Sequence, residues 1–480
     1  MPTKQPPTTH GAFSATEARQ LLESPRFQEA KTALLAVIQD ASAKLKGVRP
    51  PKSAEQAIEY QKMIQDFVSD RGRDLYFPYV SSGLGSGALV ELQDGSVKYD
   101  LISGIGINFF GHSHPELMSE MVNTLTADVM QGNLQPGHEA RGLLRALLAR
   151  VGSESRLKHG WLHCSGTMAN ETALKIIRQK KFPATRIFAF EDCFAGRSTA
   201  MAEITDSPGY RVGQPIYGEV NYLPFYSKAR GLDSSVKAIT SKIESEMTRY
   251  PNKYAGLMIE LIQGEGGFNF APREFYTQIF DFAKQRGLAI WADEIQTFGR
   301  TGELFAYQLF KLEQYMDVVT VGKMLHACAA LYSDEYNPKP GLLAGTFTGS
   351  AVALRTGRRV LELLDEGKLL GENGRIAQLS KHFRTGLEKL AASTCRGHIG
   401  ELHIIGGMVA FQPFSGTMEE VKAVLFKLYD LGLVAFYAGH SPYLIRMLPP
   451  FGVMKEPDID AVLAILEKGL LEVAAKRGAS

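Results

Sequence analysis

The chain has 480 residues, 45% of them apolar and 22% charged, with 53 Lys and Arg against 51 Asp and Glu. That usage excludes a disordered or collagen-like chain, and a balance of +2 leaves no electrostatic case for nucleic acid as a partner. The length exceeds what one hydrophobic core organises, and no apolar run reaches bilayer-spanning length, so two or more lobes off the membrane are expected.

Residues 1–12 are rich in Pro and Thr and are expected to be mobile. They show neither an apolar h-region nor an Arg-rich amphipathic face, so no secretory or transit signal is read. Residues 15–70 have helical patterning. The clearest helix is 54–69, where Ser53 and Gln56 have capping-box spacing and Tyr60, Met63, Ile64 and Phe67 make one apolar stripe. Next, ALVELQDGSVKYDL predicts two short strands around the turn Asp94-Gly95. A Gly-rich link, SGIGINFFGHSHP, leads to a helix from Pro115.

From residue 160 the pattern alternates. Strand-length apolar runs are Gly160–Cys164, Ile187–Phe190, Gly256–Leu261, Leu288–Ala292 and Asp317–Val321. Helical patterns lie between several of them. In 272–286, Pro272 opens the helix, Phe275, Ile279 and Phe282 line one face, and Gly287 ends it. Such alternation predicts a parallel sheet covered on both faces, with ligands at the carboxyl ends of its strands. From about 355 come a long helical stretch, strands in IGELHIIGGMVAFQP, a helix over 418–432, a strand in LIRMLPP and a final helix over 456–475. This predicts a second, α+β lobe.

Three strand ends carry chemistry. Ser165, Gly166 and Thr167 follow the first run and lead into a helix, where free N–H groups and the positive dipole end suit a phosphate. The same residues also serve as plain helix caps. Asp293 follows Leu288–Ala292, and an acid there needs a partner such as a protonated ring nitrogen. Lys323 follows Asp317–Val321, where burial can make an amine nucleophilic; a snorkelling surface lysine is the structural alternative. A phosphate cup, an acid and a lysine at strand ends of one α/β unit point together to pyridoxal phosphate.

At these residues the sequence resembles the class III (ω-amino acid) aminotransferases, a family that includes acetylornithine, ornithine and 4-aminobutyrate aminotransferases. The likeness spans roughly 75–465 and rests on ordered segments: GSGALVELQDG, GIGINFFGHSHP, SGTMANETALK, FAGR, IELIQGEGG, ADEIQTFGRTG, DVVTVGK, GTFTGS and IRMLPP. It implies a fold type I architecture of the aspartate aminotransferase type, with a large, mainly parallel-sheet domain and a smaller α+β domain. The implied divisions are a helical extension over 1–72, part of the small domain over 73–110, the large domain over 111–354 and the rest of the small domain over 355–480. Lys323 would be the Schiff-base lysine and proton shuttle. Asp293 would pair with the pyridinium, and Gln296 would bond the phenolic oxygen. Ser165, Gly166 and Thr167 would bind the phosphate, joined by Thr346 from a neighbouring subunit, and Phe194 would stack on the ring.

Arg446 resembles the arginine that grips a substrate carboxylate, and Glu265 the glutamate that closes on it when the donor is an ω-amine. A fixed buried ion pair is the structural alternative. Tyr76 and Ile105 occupy further substrate-binding positions. The implied activity is transfer of an amino group from an acetylornithine-, 4-aminobutyrate- or lysine-like donor to 2-oxoglutarate. The implied assembly is a homodimer or tetramer with shared active sites. An aminomutase, racemase or decarboxylating transaminase of the same fold, or a non-catalytic pyridoxal phosphate binder, is the alternative.

The chain departs from the family pattern near the pocket. Ala195 stands for a common His, Met168 for the Glu after the phosphate Thr, and DEIQTFGRTG is one Gly short. After Lys323 the chain reads MLHACAALYSDEY in place of a Gly-rich stretch. Ornithine aminotransferases carry Tyr where this chain has Ile105, which makes ornithine a poorer candidate. GLGSGA over 83–88 precedes a strand pattern rather than a helix, so no dinucleotide fingerprint is read. His112 and His114 lack an acid or Cys cluster, so no metal site is assigned. Cys164, Cys193, Cys328 and Cys395 form no CxxC pair and no disulfide framework, and a reducing cytoplasm is expected.

Overall fold

A computed structural model describes residues 16–478; the Pro/Thr-rich segment 1–12 lies outside the described residues. The centre is a seven-stranded sheet. Its spatial order is Leu157–His163, Cys328–Ser333, Val318–Val321, Ala289–Glu294, Tyr254–Ile259, Arg186–Phe190 and Val220–Leu223. Four neighbouring pairs run parallel. Cys328–Ser333 runs against both its neighbours. The five apolar runs read from the sequence all form strands of this sheet. Val220–Leu223 and Cys328–Ser333 were not expected. The first is a half-buried edge strand with little apolar patterning, and the second is hidden in the atypical stretch after Lys323.

Alternation along the strands divides the interior into two cores. Ile290 and Ala292 join Phe275 and Ile279 on one face, whereas Ala289 and Trp291 join Ile176 and Ile177 on the other. The helix Arg273–Gln285 covers the first face, with Pro272 as its N-cap. Gly166–Lys181 lies across the second and packs against five of the strands. Both faces are thus buried, which is why the strands read as continuous apolar runs.

Two smaller sheets complete the fold. Ser81–Ser86, Leu89–Leu92 and Val97–Asp100 form a meander whose last strand pairs in parallel with Leu433–Val434, far along the chain. The other contains Ile399–Ile405, Met408–Pro413, Tyr443–Met447 and Phe436–Gly439, all antiparallel. The helices Arg375–Ala392 and Met418–Asp430 pack against Glu456–Gly478 beside it.

Three helices precede the first sheet: Glu17–Glu23, Pro25–Ser42 and Ala54–Arg71. Ser53 caps the third, accepting from Gln56 N at 3.2 Å. Of its apolar stripe only Tyr60 is buried; Met63 and Phe67 are 42% and 46% exposed. Tyr60 is held because its hydroxyl accepts from Val80 N at 2.8 Å. No helix among the described residues is long and apolar enough to cross a membrane.

Candidate active site

The residues singled out at the strand ends converge at one edge of the large sheet. Asp293 sits at the end of Ala289–Glu294 and is 5% exposed. Its carboxylate accepts from Asn170 Nδ2 at 2.6 Å and Ile295 N at 2.9 Å. Burial pushes its pKa up to about 6 despite those bonds. Neither hydrogen-bond partner is cationic and the Lys323 charge nearby offsets burial only in part, so a protonated ring nitrogen would supply a direct counter-charge.

The next strand ends at Val321, and Lys323 opens the short 3-10 turn after it with φ +49°. Burial pulls its amine down to about 8, although Glu265 nearby works the other way. Such an amine is largely neutral at mildly alkaline pH and is a nucleophile there.

Ser165 caps the helix Gly166–Lys181, accepting from Met168 N at 3.3 Å. The helix begins at Gly166 itself. Gly166 and Thr167 therefore lie in its first turn, where N–H groups have no partner within the helix. Two glycines let the surroundings close on this cup. A Cβ on Gly166 would lie 2.9 Å from Ile295 Cγ2, and one on Gly196, at φ +133°, would lie 2.5 Å from Thr167 Oγ1. Phe194 lies on the same loop as Gly196, which rests against Thr167. Its ring meets Tyr210 edge-on at 6.1 Å. Gln296 is buried, its Oε1 has no hydrogen-bond partner, and a Cβ on Gly264 would lie 2.7 Å from its Cδ.

Arg446 lies on the strand Tyr443–Met447 of the smaller sheet with no solvent exposure. Its Nη1 donates to Glu265 Oε1 at 2.5 Å, while Nε and Nη2 have no partner. Burial raises the Glu265 pKa, but Arg446 and then Lys323 outweigh it and hold the carboxyl below its ordinary value. Tyr76 sits in an aromatic cluster with Phe77, Phe436 and Tyr437, and its buried hydroxyl has no partner. Ile105 is 37% exposed on a turn packed against the Lys323 turn. Thr346 is apart from this group: it is exposed, on a loop tied to residue 133 by Asn133 N donating to Gly345 O at 3.0 Å. His112 bonds Asp100 at 3.1 Å. Among the described residues no group of His, Cys, Asp and Glu has a metal-binding arrangement.

The fit to pyridoxal phosphate rests on this geometry. Asp293 has no cationic hydrogen-bond partner, Gln296 has an unpaired buried oxygen, the cup at 165–167 offers helix N–H groups, and Lys323 offers a tuned amine. These residues could hold that cofactor together. The geometry also adds residues that the sequence reading passed over. Glu260 is buried and accepts from Phe194 N at 2.8 Å and Gly264 N at 3.0 Å, so it joins the loops of Phe194 and Glu265. Burial, and then Asp293 nearby, push it up to about 8. In the sequence Glu260 falls inside the apolar run Gly256–Leu261; it becomes a strand-end acid only because the strand stops at Ile259. Asn170, one turn beyond the cup, orients Asp293 and also donates to Ala195 O at 2.7 Å. Nothing in its local sequence marks it.

Comparison with known proteins places the chain. Residues 73–470 match the family model described as "Aminotransferase class-III". An acetylornithine aminotransferase from Mycolicibacterium smegmatis is 29% identical over 408 residues, covering 83% of this chain and 95% of the relative. A diaminobutyrate–2-oxoglutarate aminotransferase from Rhizobium meliloti is 26% identical, covering 79% and 86%. Among solved structures, a lysine aminotransferase from M. tuberculosis superposes with a TM-score of 0.77 at 20% identity, over 85% of this chain and 99% of that one. That superposition establishes the shared fold.

Proposed function

The chain belongs to the class III aminotransferases and is a pyridoxal-phosphate-dependent transaminase; on that premise we propose that it moves the amino group of an ω-amino donor to 2-oxoglutarate. The observation that carries this reading is the Glu265–Arg446 pair. A fully buried guanidinium with one bonded and two unbonded nitrogens is set to take a carboxylate. With Glu265 closed on it, its charge is hidden from a cationic ω-amino group. With Glu265 withdrawn, Nε and Nη2 take the α-carboxylate of 2-oxoglutarate. Named relatives act on acetylornithine, diaminobutyrate and lysine, and all three carry a free terminal amine.

The cofactor supplies an aldehyde that takes up the amino group and a ring that spreads the charge left when a C–H proton departs. The chain's own residues do the rest. Asp293 holds the proton on the ring nitrogen. Lys323 Nζ would hold the cofactor and would carry the proton from the donor carbon. Gln296 bonds the phenolic oxygen, Phe194 covers the ring, and Ser165, Gly166 and Thr167 receive the phosphate. Tyr76 and Ile105 border the donor.

Thr346 completes the cup from a second copy of the chain. Its loop shares a face with exposed apolar side chains, Val129 at 79%, Leu134 at 89% and Phe347 at 62%, which a second copy would cover. The test is glutamate release from 2-oxoglutarate with N-acetylornithine, L-lysine, 4-aminobutyrate and 2,4-diaminobutyrate in turn. Release with one of these, lost in Arg446→Met, supports the reading. Product without glutamate overturns it and favours another reaction on the same fold. Mixing Lys323→Ala with Thr346→Ala tests the shared site, since mixed dimers would regain one intact site.

A further inference from the structure

The helix Pro25–Ser42 has 18 residues and buries none of them, whereas Arg273–Gln285, with 13, buries five. It is apolar all the same. At about 100° per residue, Ala33, Val37, Leu34, Phe27, Ile38 and Leu35 fall in that order across an arc about 200° wide. A helix that lies against one body needs an apolar stripe of about half that width. Phe27, Ile38 and Leu35 are half-buried, on the side that meets the helix Pro115–Val122 and the strand Ser81–Ser86. Leu34 and Val37, on the other half of the arc, are 49% and 68% exposed. The helix thus has two apolar sides, and the described residues cover one.

The helix is firmly placed. Ser42 Oγ donates to Gly85 O, and Lys31 Nζ donates to Asn123 Oδ1 at 3.2 Å. Beyond it the chain joins the first small sheet, with Arg49 N donating to Val97 O at 3.1 Å and Val97 N to Arg49 O at 3.0 Å. Asn123 opens the 3-10 turn Asn123–Thr126, which carries Leu125 at 76% exposure. The next residues are tied to the loop of Thr346 and Phe347: Thr348 N donates to Gln131 O at 2.9 Å, and Ala351 N to Val129 O at 3.1 Å. A path of contacts therefore runs from the helix through Leu125 and Val129 to the Thr346 loop, with an exposed apolar side chain at each step. Charge on the helix is balanced, Arg26 and Lys31 against Glu29 and Asp40, so it offers no single-signed field to a nucleic acid or an anionic membrane. The occupant that fits is the one the Thr346 loop already calls for, a second copy of the chain.

We propose that the helix Pro25–Ser42, which precedes the family-matched residues 73–470, is a clamp that extends the interface with a second copy, its Leu34 and Val37 side seated on the partner. The inference rests on the shared site read above, in which Thr346 completes the cup of the other copy. In a two-fold interface each contact occurs twice, so every pair gains two clamps. The clamp keeps the Thr346 loops docked when the protein is dilute. It touches neither cofactor nor donor.

The test is sedimentation velocity of the full-length holoenzyme over a dilution series, with glutamate release measured at each concentration. Leu34→Asp combined with Val37→Asp puts a pair of carboxylates from each copy into the contact, and the dimer dissociation constant should rise by about 100-fold or more. Activity per subunit should fall at the dilution where the dimer parts, while kcat at high protein concentration stays within about twofold of the parent. An unchanged dissociation constant overturns the proposal. So does a Tm lowered equally at every protein concentration, which assigns the cover to a segment of the same chain. Should the double variant fail to fold, Val37→Ser, at the more exposed of the two sites, decides through a rise of about fivefold or more. Val129→Asp separates this inference from the reading beneath it. Dissociation by Val129→Asp with none by the helix variants removes the clamp and leaves the shared site standing; a fully active monomer removes both.

Discussion

Replacing Glu265 by Gln removes one charge from a pair whose other member has no contact with water. Gln keeps the size and the acceptor oxygen, so the variant isolates the charge. With charge centres about 4 Å apart and an effective dielectric of about 20, the attraction is about 4 kcal/mol. Two things reduce it. Glu265 is 30% exposed, so solvent screens it, and an incoming carboxylate must itself be desolvated. A net of about 1–2 kcal/mol remains as the cost of opening the pair, which is about 5- to 30-fold in KM. The KM for 2-oxoglutarate should fall by that factor in Glu265→Gln, while the KM for the ω-amino donor rises, because the guanidinium charge is no longer hidden. Without ligand the variant should melt lower, since Arg446 is left without its counter-charge, and 2-oxoglutarate should raise its Tm more than that of the parent. Steady-state kinetics in each substrate and a thermal melt with and without 2-oxoglutarate read both effects. An acceptor KM that stays put or rises refutes the switch and leaves the pair as a fixed ion pair.

Lys323→Ala should abolish turnover, and the rate of cofactor capture by the parent apoprotein should climb with pH through about 8, where the amine loses its proton; a flat stopped-flow profile from pH 7 to 9 argues against that assignment. Asp293 is raised from 3.8 to about 6, so the folded apoprotein holds its proton over a range where the unfolded chain has lost it. Its contribution to stability is therefore full below about pH 4 and lost as pH rises through about 6. Asp293→Asn should gain on the parent by roughly 3 kcal/mol between pH 4 and 7 in apoprotein unfolding, while its affinity for pyridoxal phosphate drops; a constant gap between the two proteins contradicts the burial argument. Gly264→Ala puts a Cβ 2.7 Å from Gln296 Cδ, so it should weaken cofactor binding by about tenfold or more with little change in overall fold; fluorescence titration with the cofactor and a circular dichroism spectrum check the two halves.

Local chemistry was legible along the chain. The helix Arg273–Gln285 follows from apolar spacing and from Pro272 and Gly287, all set within a few residues. The buried strands follow from apolar runs because both faces of the sheet are covered. Asp293 and Lys323 stood out because a charged residue directly after such a run is costly unless it has work to do. The acid, the lysine and the phosphate cup could be read together, since each is a strand-end feature of one α/β unit.

Tertiary structure decided what depends on contacts between distant segments. Leu433–Val434 completes a sheet begun by Val97–Asp100, and no local pattern in two residues foretells that partner. Cys328–Ser333 runs antiparallel because a short turn after Lys323 returns it beside Val318–Val321. Arg446 lies on a strand of the smaller sheet and Glu265 in a turn far earlier in the chain, so only their folded positions bring them within 2.5 Å and leave two guanidinium nitrogens open. Glu260 and Asn170 took their roles from what faces them. The left-handed turn at Ser103–Gly106 ran against local preference at Ile105, and Asp100, Leu448 and Arg300 from three parts of the chain hold it there. Sequence determines propensity and burial pattern over a few residues; the site's substrate end is set by long-range packing and electrostatics, which act between residues that local propensity cannot pair.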